Sequence, residues 1–150
     1  MGLYCLKHKV FAYRNHKPDC TIRNIIPISK EMLTVADRLY ELGFKVMSAS
    51  CFSNPVQDSI YEYRITLEVE FKIRYWESIL GELPKGWKYY TETSSLDCFP
   101  ISILAYCEVY IWLGFETVEE RVKQIIDELV SYLDTRDKVA LGAIMLLSDS

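Results

Sequence analysis

The chain has 150 residues, half of them hydrophobic and a quarter charged, with a formal net charge of −4. That balance fits one α+β domain over residues 1–150 with a buried core, and it excludes a disordered or strongly basic chain. No apolar run approaches the ~20 residues of a membrane span, and the first residues lack the apolar core and cleavage site of a secretory signal, so a soluble, cytoplasmic protein with no membrane partner is expected.

Residues 3–13 read as a strand, with Tyr4, Leu6, Val10 and Ala12 on one parity. Asn15 to Asp19 carries turn chemistry, and residues 20–26 form a short second strand ended by Pro27. Across residues 1–30 the basic side chains Lys7, Lys9, Arg14, Lys17, Arg23 and Lys30 face a single acid, Asp19. Such an end suits either attraction to phosphate and acidic surfaces or a solvated edge hairpin whose lysines discourage sheet-to-sheet association. A helix is predicted from Ser29 to Leu42. Ser29 is its N-cap, Met32, Val35, Ala36, Leu39, Tyr40 and Leu42 form one apolar stripe, and Gly43 closes it.

Phe44 to Phe52 reads as a strand that turns through residues 53–59 into the central stretch, residues 60–76. There Tyr61, Tyr63, Ile65, Leu67, Val69, Phe71, Ile73 and Tyr75 alternate with Glu62, Arg64, Thr66, Glu68, Glu70, Lys72 and Arg74. A period of two predicts a long strand with one greasy and one charged face. One or two helical turns are expected at residues 76–83, then a strand at 87–93, a loop at 94–100 and a long strand at 101–113. A helix follows at 118–133, where Thr117 and Glu120 match a capping box. Residues 138–147 are apolar without a deciding period, so helix and edge strand both remain open. The architecture expected is an antiparallel or mixed sheet of about five to six strands with two main helices on one face, loosely ferredoxin-like.

The strand at 101–113 holds the most suggestive pattern. Ile101, Ile103, Ala105, Cys107, Val109, Ile111 and Leu113 are expected in the core. The other parity carries Leu104, Tyr106, Glu108, Tyr110 and Trp112, one carboxylate flanked by aromatics. On a shared open face these would meet Arg64, Thr66, Glu68, Lys88 and Tyr90. Tyr106, Glu108, Tyr110, Trp112, Tyr90 and Arg64 are therefore the candidate ligand-binding residues. Rings stack on a planar or nucleotide-like ligand while charges orient it. The same residue types anchor protein partners. A third reading makes them a second small core beneath the terminal segment, with Glu108 at its rim.

The two histidines sit between two cysteines, Cys5, His8, His16 and Cys20, which are residue types that zinc prefers. Against a zinc site, Cys5 and His8 have opposite strand parity, and no carboxylate is placed to orient the imidazoles. The remaining cysteines, Cys51, Cys98 and Cys107, bring the count to five, an odd number at irregular spacing that indicates reduced thiols. Cys51 and Cys107 read as small core hydrophobes. Phosphate-loop, dinucleotide, zinc-protease and serine-hydrolase motifs are all absent, which weighs against an enzyme and against a bound cofactor. The acidic balance weighs against nucleic acid.

The reading is a non-enzymatic binding protein for a small planar or nucleotide-like ligand. Such a compact chain would also suit a phage or mobile-element protein that sequesters a signal molecule. The alternatives are a protein-interaction module or inhibitor using the same aromatic face, with self-association among its outcomes, and a small zinc-dependent or zinc-stabilised protein.

Overall fold

The computed structural model describes residues 2–11, 24–76, 78–93 and 100–148. Among these, seven strands and three α-helices follow in the order β1 (Gly2–Cys5), β2 (Val10–Phe11), β3 (Ile25–Ile28), α1 (Leu33–Glu41), β4 (Val46–Pro55), β5 (Glu62–Phe71), β6 (Trp87–Thr93), β7 (Pro100–Ile111), α2 (Val118–Asp134) and α3 (Lys138–Ser148). The strands form one mixed sheet in the order β2-β1-β3-β4-β5-β7-β6. Only β3 and β4 run parallel, because α1 carries the chain back between them; every other pair is antiparallel.

β5 lies between β4 and β7 and sets the two sides of the sheet. Its alternation buries Ile65, Leu67, Val69 and Phe71 against the helices. Each such side chain contributes about 1.5–3 kcal/mol by leaving water. Val35, Ala36 and Leu39 of α1 join the same cluster, as do Val122, Ile125, Ile126, Leu129 and Leu133 of α2 and Leu141 of α3. The class is therefore α+β with helices against one sheet face. The sheet has seven strands rather than five or six, and the likeness to a ferredoxin-like fold goes no further than that layering. No helix among the described residues is long and apolar enough to cross a membrane.

Local chemistry explains most element ends. Thr117 Oγ1 accepts a hydrogen bond from the Glu120 amide at 3.1 Å and starts α2, as the capping pattern predicts. Gly43 takes φ of +100° after α1. Ser29 does something else: it is buried, and its Oγ accepts from the Cys51 amide at 2.9 Å, so it ties the approach to α1 onto β4 instead of capping the helix. The helix starts through a 3₁₀ turn at Lys30–Met32.

Several expected elements are altered. The single strand expected at 3–13 breaks, over its described residues 3–11, into a hairpin, because the turn at residues 6–9 places Lys9 at φ of +57°. Pro27 lies inside β3 rather than ending it. The extended stretch at 60–76 stops at Phe71, and Tyr75 folds back into the core, its hydroxyl accepting from the Lys45 amide at 2.8 Å. Residues 78–80 form turns with Ile79 and Leu80 buried, not a helix. The apolar stretch after residue 138 is helical. The turn at 15–19 and most of the loop at 94–100, with His16, Cys20 and Cys98, lie outside the described residues.

The largest departure concerns β7. Its register pairs Leu67 with Tyr106 and Ile65 with Glu108. Directly opposed residues share a face, so Leu104, Tyr106 and Glu108 point to the helices. Ala105, Cys107, Val109 and Ile111 lie on the open face, where Cys107, Val109 and Ile111 are exposed. Both parities of β7 are apolar enough for a core, so alternation alone carries no direction.

Candidate functional site

The six residues proposed from sequence do not form one site. Tyr106, Glu108 and Tyr110 are on the helix side, while Arg64 and Tyr90 are on the open face, opposed to Val109 and Ile103 respectively. Trp112 follows the end of β7, and its amide donates to the Tyr61 carbonyl at 2.7 Å.

Glu108 has a partner that its own strand does not supply. Arg121 of α2 reaches it with Nε at 2.9 Å from Oε2 and Nη2 at 2.7 Å from Oε1, a two-pronged ion pair. The Tyr106 hydroxyl donates to Glu108 Oε1 at 3.1 Å. The Arg121 guanidinium beside it, outweighing partial burial, and then the Tyr106 hydroxyl hold the Glu108 carboxyl below the usual range. The Tyr106 ring lies 5.4 Å from the Trp87 ring and covers Gly86. The Tyr110 hydroxyl donates to the Glu116 carbonyl at 2.8 Å. These contacts dock the start of α2 onto β7. Tyr106 belongs to the main core cluster and Tyr110 packs against it, while Trp112 is exposed, so these three residues do not make the second small core that the sequence suggested.

On the open face, Tyr90 is surrounded by Glu68, Glu92 and Glu70, and its hydroxyl is pushed up first by burial and then by these carboxylates. Glu68 is raised as well, by burial and by Glu70. This acidic face does not hold the ring-flanked single carboxylate that the sequence suggested.

Cys5 and His8 do meet, despite opposite parity, since the turn at 6–9 swings the imidazole back. Cys5 Sγ is 3.4 Å from His8 Nδ1. His16 and Cys20 lie outside the described residues, and no group of three metal-ligating side chains occurs among those described. Burial pushes the Cys51 thiol up to about 11, which fits an inert core sulfur. Cys107, expected in the core, is exposed.

The surface that does stand out lies where β5 begins and β7 ends. Ile60 and Tyr61 close the hairpin from β4, and the turn before them places Asp58 at φ of +65°. Beside them, Ile111, Trp112, Leu113 and Phe115 lead out of β7. Phe115 is 93% exposed, Ile60 75% and Trp112 40%. Between the two segments is a groove of about 510 Å³ lined chiefly by Tyr61, Ile111, Trp112 and Leu113, with Glu62 at its edge. Acidic residues flank both segments in sequence: Asp58 and Glu62 on one side, Glu116, Glu119 and Glu120 on the other.

No protein-family model matches this chain, and no curated protein or solved structure matches it either. Of the residues proposed from sequence, only Trp112 belongs to the apolar end. Ile60, Tyr61, Ile111, Leu113 and Phe115 were not singled out. Their signal was present: an apolar run, Ile111 to Leu113 and then Phe115, continues past the strand into a connection where solvent is expected.

Proposed function

We propose that this protein is a non-enzymatic interaction module, and that the apolar end of the sheet is its docking surface. The observation that carries the reading is the groove lined by exposed Tyr61, Ile111, Trp112 and Leu113, with exposed Ile60 and Phe115 close to them along the chain. Monomeric surfaces seldom expose contiguous apolar patches of this kind without a partner. The occupant is a segment of another protein with apolar anchors and a basic border. Charge decides this choice. Asp58, Glu62, Glu116, Glu119 and Glu120 flank the two segments in sequence against one exposed cation, Arg64, and Arg121, which follows Glu120, is engaged by Glu108. A second copy of this chain would bring two acidic borders together, which opposes self-association through this face.

The test uses two dye-labelled amphipathic peptides that share an apolar face and differ only in lysine or glutamate flanks. The lysine peptide is expected to bind with micromolar affinity that weakens with salt, and Leu113→Asp or Phe115→Asp should weaken it at least tenfold. Equal binding of both peptides, or variants that bind as the parent does, would sink the reading. Concentration-dependent dimerisation in sedimentation, abolished by Phe115→Asp, would assign the patch to a second copy instead.

The groove supports a second reading, a small planar ligand held between the Tyr61 and Trp112 rings. Its volume of about 510 Å³ is in the range of small-molecule sites. Native mass spectrometry of the purified protein tests it: a small molecule that co-purifies with the parent and is lost from Trp112→Ala would favour this ligand over a peptide.

A further inference from the structure

A second feature lies at the other end of β5, about 30 Å away by the rise of a strand. A groove of about 830 Å³ opens between the C-terminal end of α1, the start of β4, the end of β5 and the start of α3. Its apolar wall includes Leu6, Tyr40 and Phe44, and three cations line it, Lys45, Lys72 and Lys138. The fold brings these lysines together from three places far apart in sequence.

Their placement runs against local stability. Val46 pairs with Phe71, and the Lys72 amide donates to the Lys45 carbonyl at 2.8 Å, so the two lysines extend the ladder as directly opposed residues. Like charges directly opposed across a sheet repel. Lys138 opens α3, and the first turn of a helix disfavours a cation. Asp137 beside it is used as a cap, its Oδ1 accepting from the Val139 amide at 2.9 Å. Among the described residues, neither Lys45 nor Lys138 has a carboxylate within ion-pair distance.

Glu41 is the acid that lines the groove, and it is already neutralised. Its carboxylate is 3.0 Å from Lys9 Nζ and 3.3 Å from Arg38 Nη1. The hydrogen bond from Lys9, opposed only by slight burial, holds that carboxyl below the usual range. In a chain of net charge −4, a groove where Lys45 and Lys138 have no carboxylate within ion-pair distance among the described residues, and whose lining acid is neutralised, is a local positive site.

We propose that this groove binds a small, multiply charged anion carrying an apolar or ring-shaped body. Lysine ammonium groups are compact point charges that suit phosphate and carboxylate groups alike. The half-buried Tyr40 ring offers the body a wall. The size of the groove fits a metabolite. An extended polyanion such as nucleic acid is disfavoured by the net charge of −4 on the chain as a whole.

The experiment titrates the full chain with inorganic pyrophosphate and, separately, citrate, by calorimetry at low salt. The expected result is one site for at least one probe, with a Kd of 1 mM or tighter on the order of small-ligand affinities. The stronger probe identifies phosphate or carboxylate as the group preferred. Replacing Lys45 and Lys138 together by Gln, which keeps their stems, should weaken binding at least tenfold. Lys138→Arg should retain it, and Lys85→Ala, at a turn elsewhere, should leave it unchanged. The proposal is overturned if neither probe binds, if the double variant binds as the parent does, or if Lys85→Ala weakens binding equally, which would indicate an adventitious ion only.

Discussion

Arg121→Met offers the sharpest test of what Glu108 does. The side chains of the pair are 24% and 26% exposed, and the two contacts are 2.9 and 2.7 Å long. With charge centres about 4 Å apart and an effective dielectric of about 20, the gross attraction is about 4 kcal/mol. Partial desolvation of both ions and the fixing of a long side chain offset much of it, leaving a net coupling of about 1.5 kcal/mol, above an exposed pair and below a buried one. Arg121→Met alone should cost more, about 2–3 kcal/mol, because Glu108 keeps only the Tyr106 hydroxyl and α2 loses its tether.

The measurement is a double-mutant cycle with Glu108→Gln by urea denaturation at pH 7. Its pH dependence follows from the direction of the Glu108 shift. The folded carboxyl lies below its unfolded value of about 4.3, so the stabilisation is present above that value and is lost as pH falls through the folded one. Glu108→Gln should remove that component of acid destabilisation. A coupling below about 0.3 kcal/mol, or Glu108→Gln as stable as the parent while losing a bound small molecule, would refute the structural role and return Glu108 to ligand recognition.

Two further outcomes follow from the same framework. Gly86→Ala should destabilise by about 3 kcal/mol, since φ is +89° and a Cβ there would overlap the Tyr106 ring; in a Tyr106→Ala background most of the steric part should vanish, and an unchanged cost in both backgrounds would contradict the overlap. Glu68→Gln should raise the melting temperature at pH 7. Burial first, and then the charges of Glu70 and Glu92, lift the Glu68 carboxyl, so its penalty appears as pH rises above the unfolded value of about 4.3 and is absent below it. A gain that is the same at pH 4 and pH 7 would contradict this.

Elements with a strong period and a local signal were legible from residues alone. β5 alternates without a break, α2 combines an apolar stripe with Thr117 at its start, and Gly43 follows the stripe of α1. Each of these depends on neighbours within a few residues, which is the range at which a sequence speaks clearly. Ser29 shows the limit: a good cap by type, it was taken by the Cys51 amide because the parallel approach of β3 and β4 brought a buried donor to it.

The candidate sites depended on distances that sequence does not encode. Alternation by itself established that β5 has two chemically different faces and that helices must cover one of them. It could not orient β7, because both of that strand's parities are apolar and a strand turned over buries nearly as much. Register with β5 and the reach of Arg121 from α2 made that choice, giving Glu108 a charged partner on the helix side. The same tertiary pairing set Lys45 opposite Lys72 and brought Tyr61 beside Trp112 at the other end of the sheet. Local spacing decides which side chains alternate; only the closing of the sheet decides which of them meet.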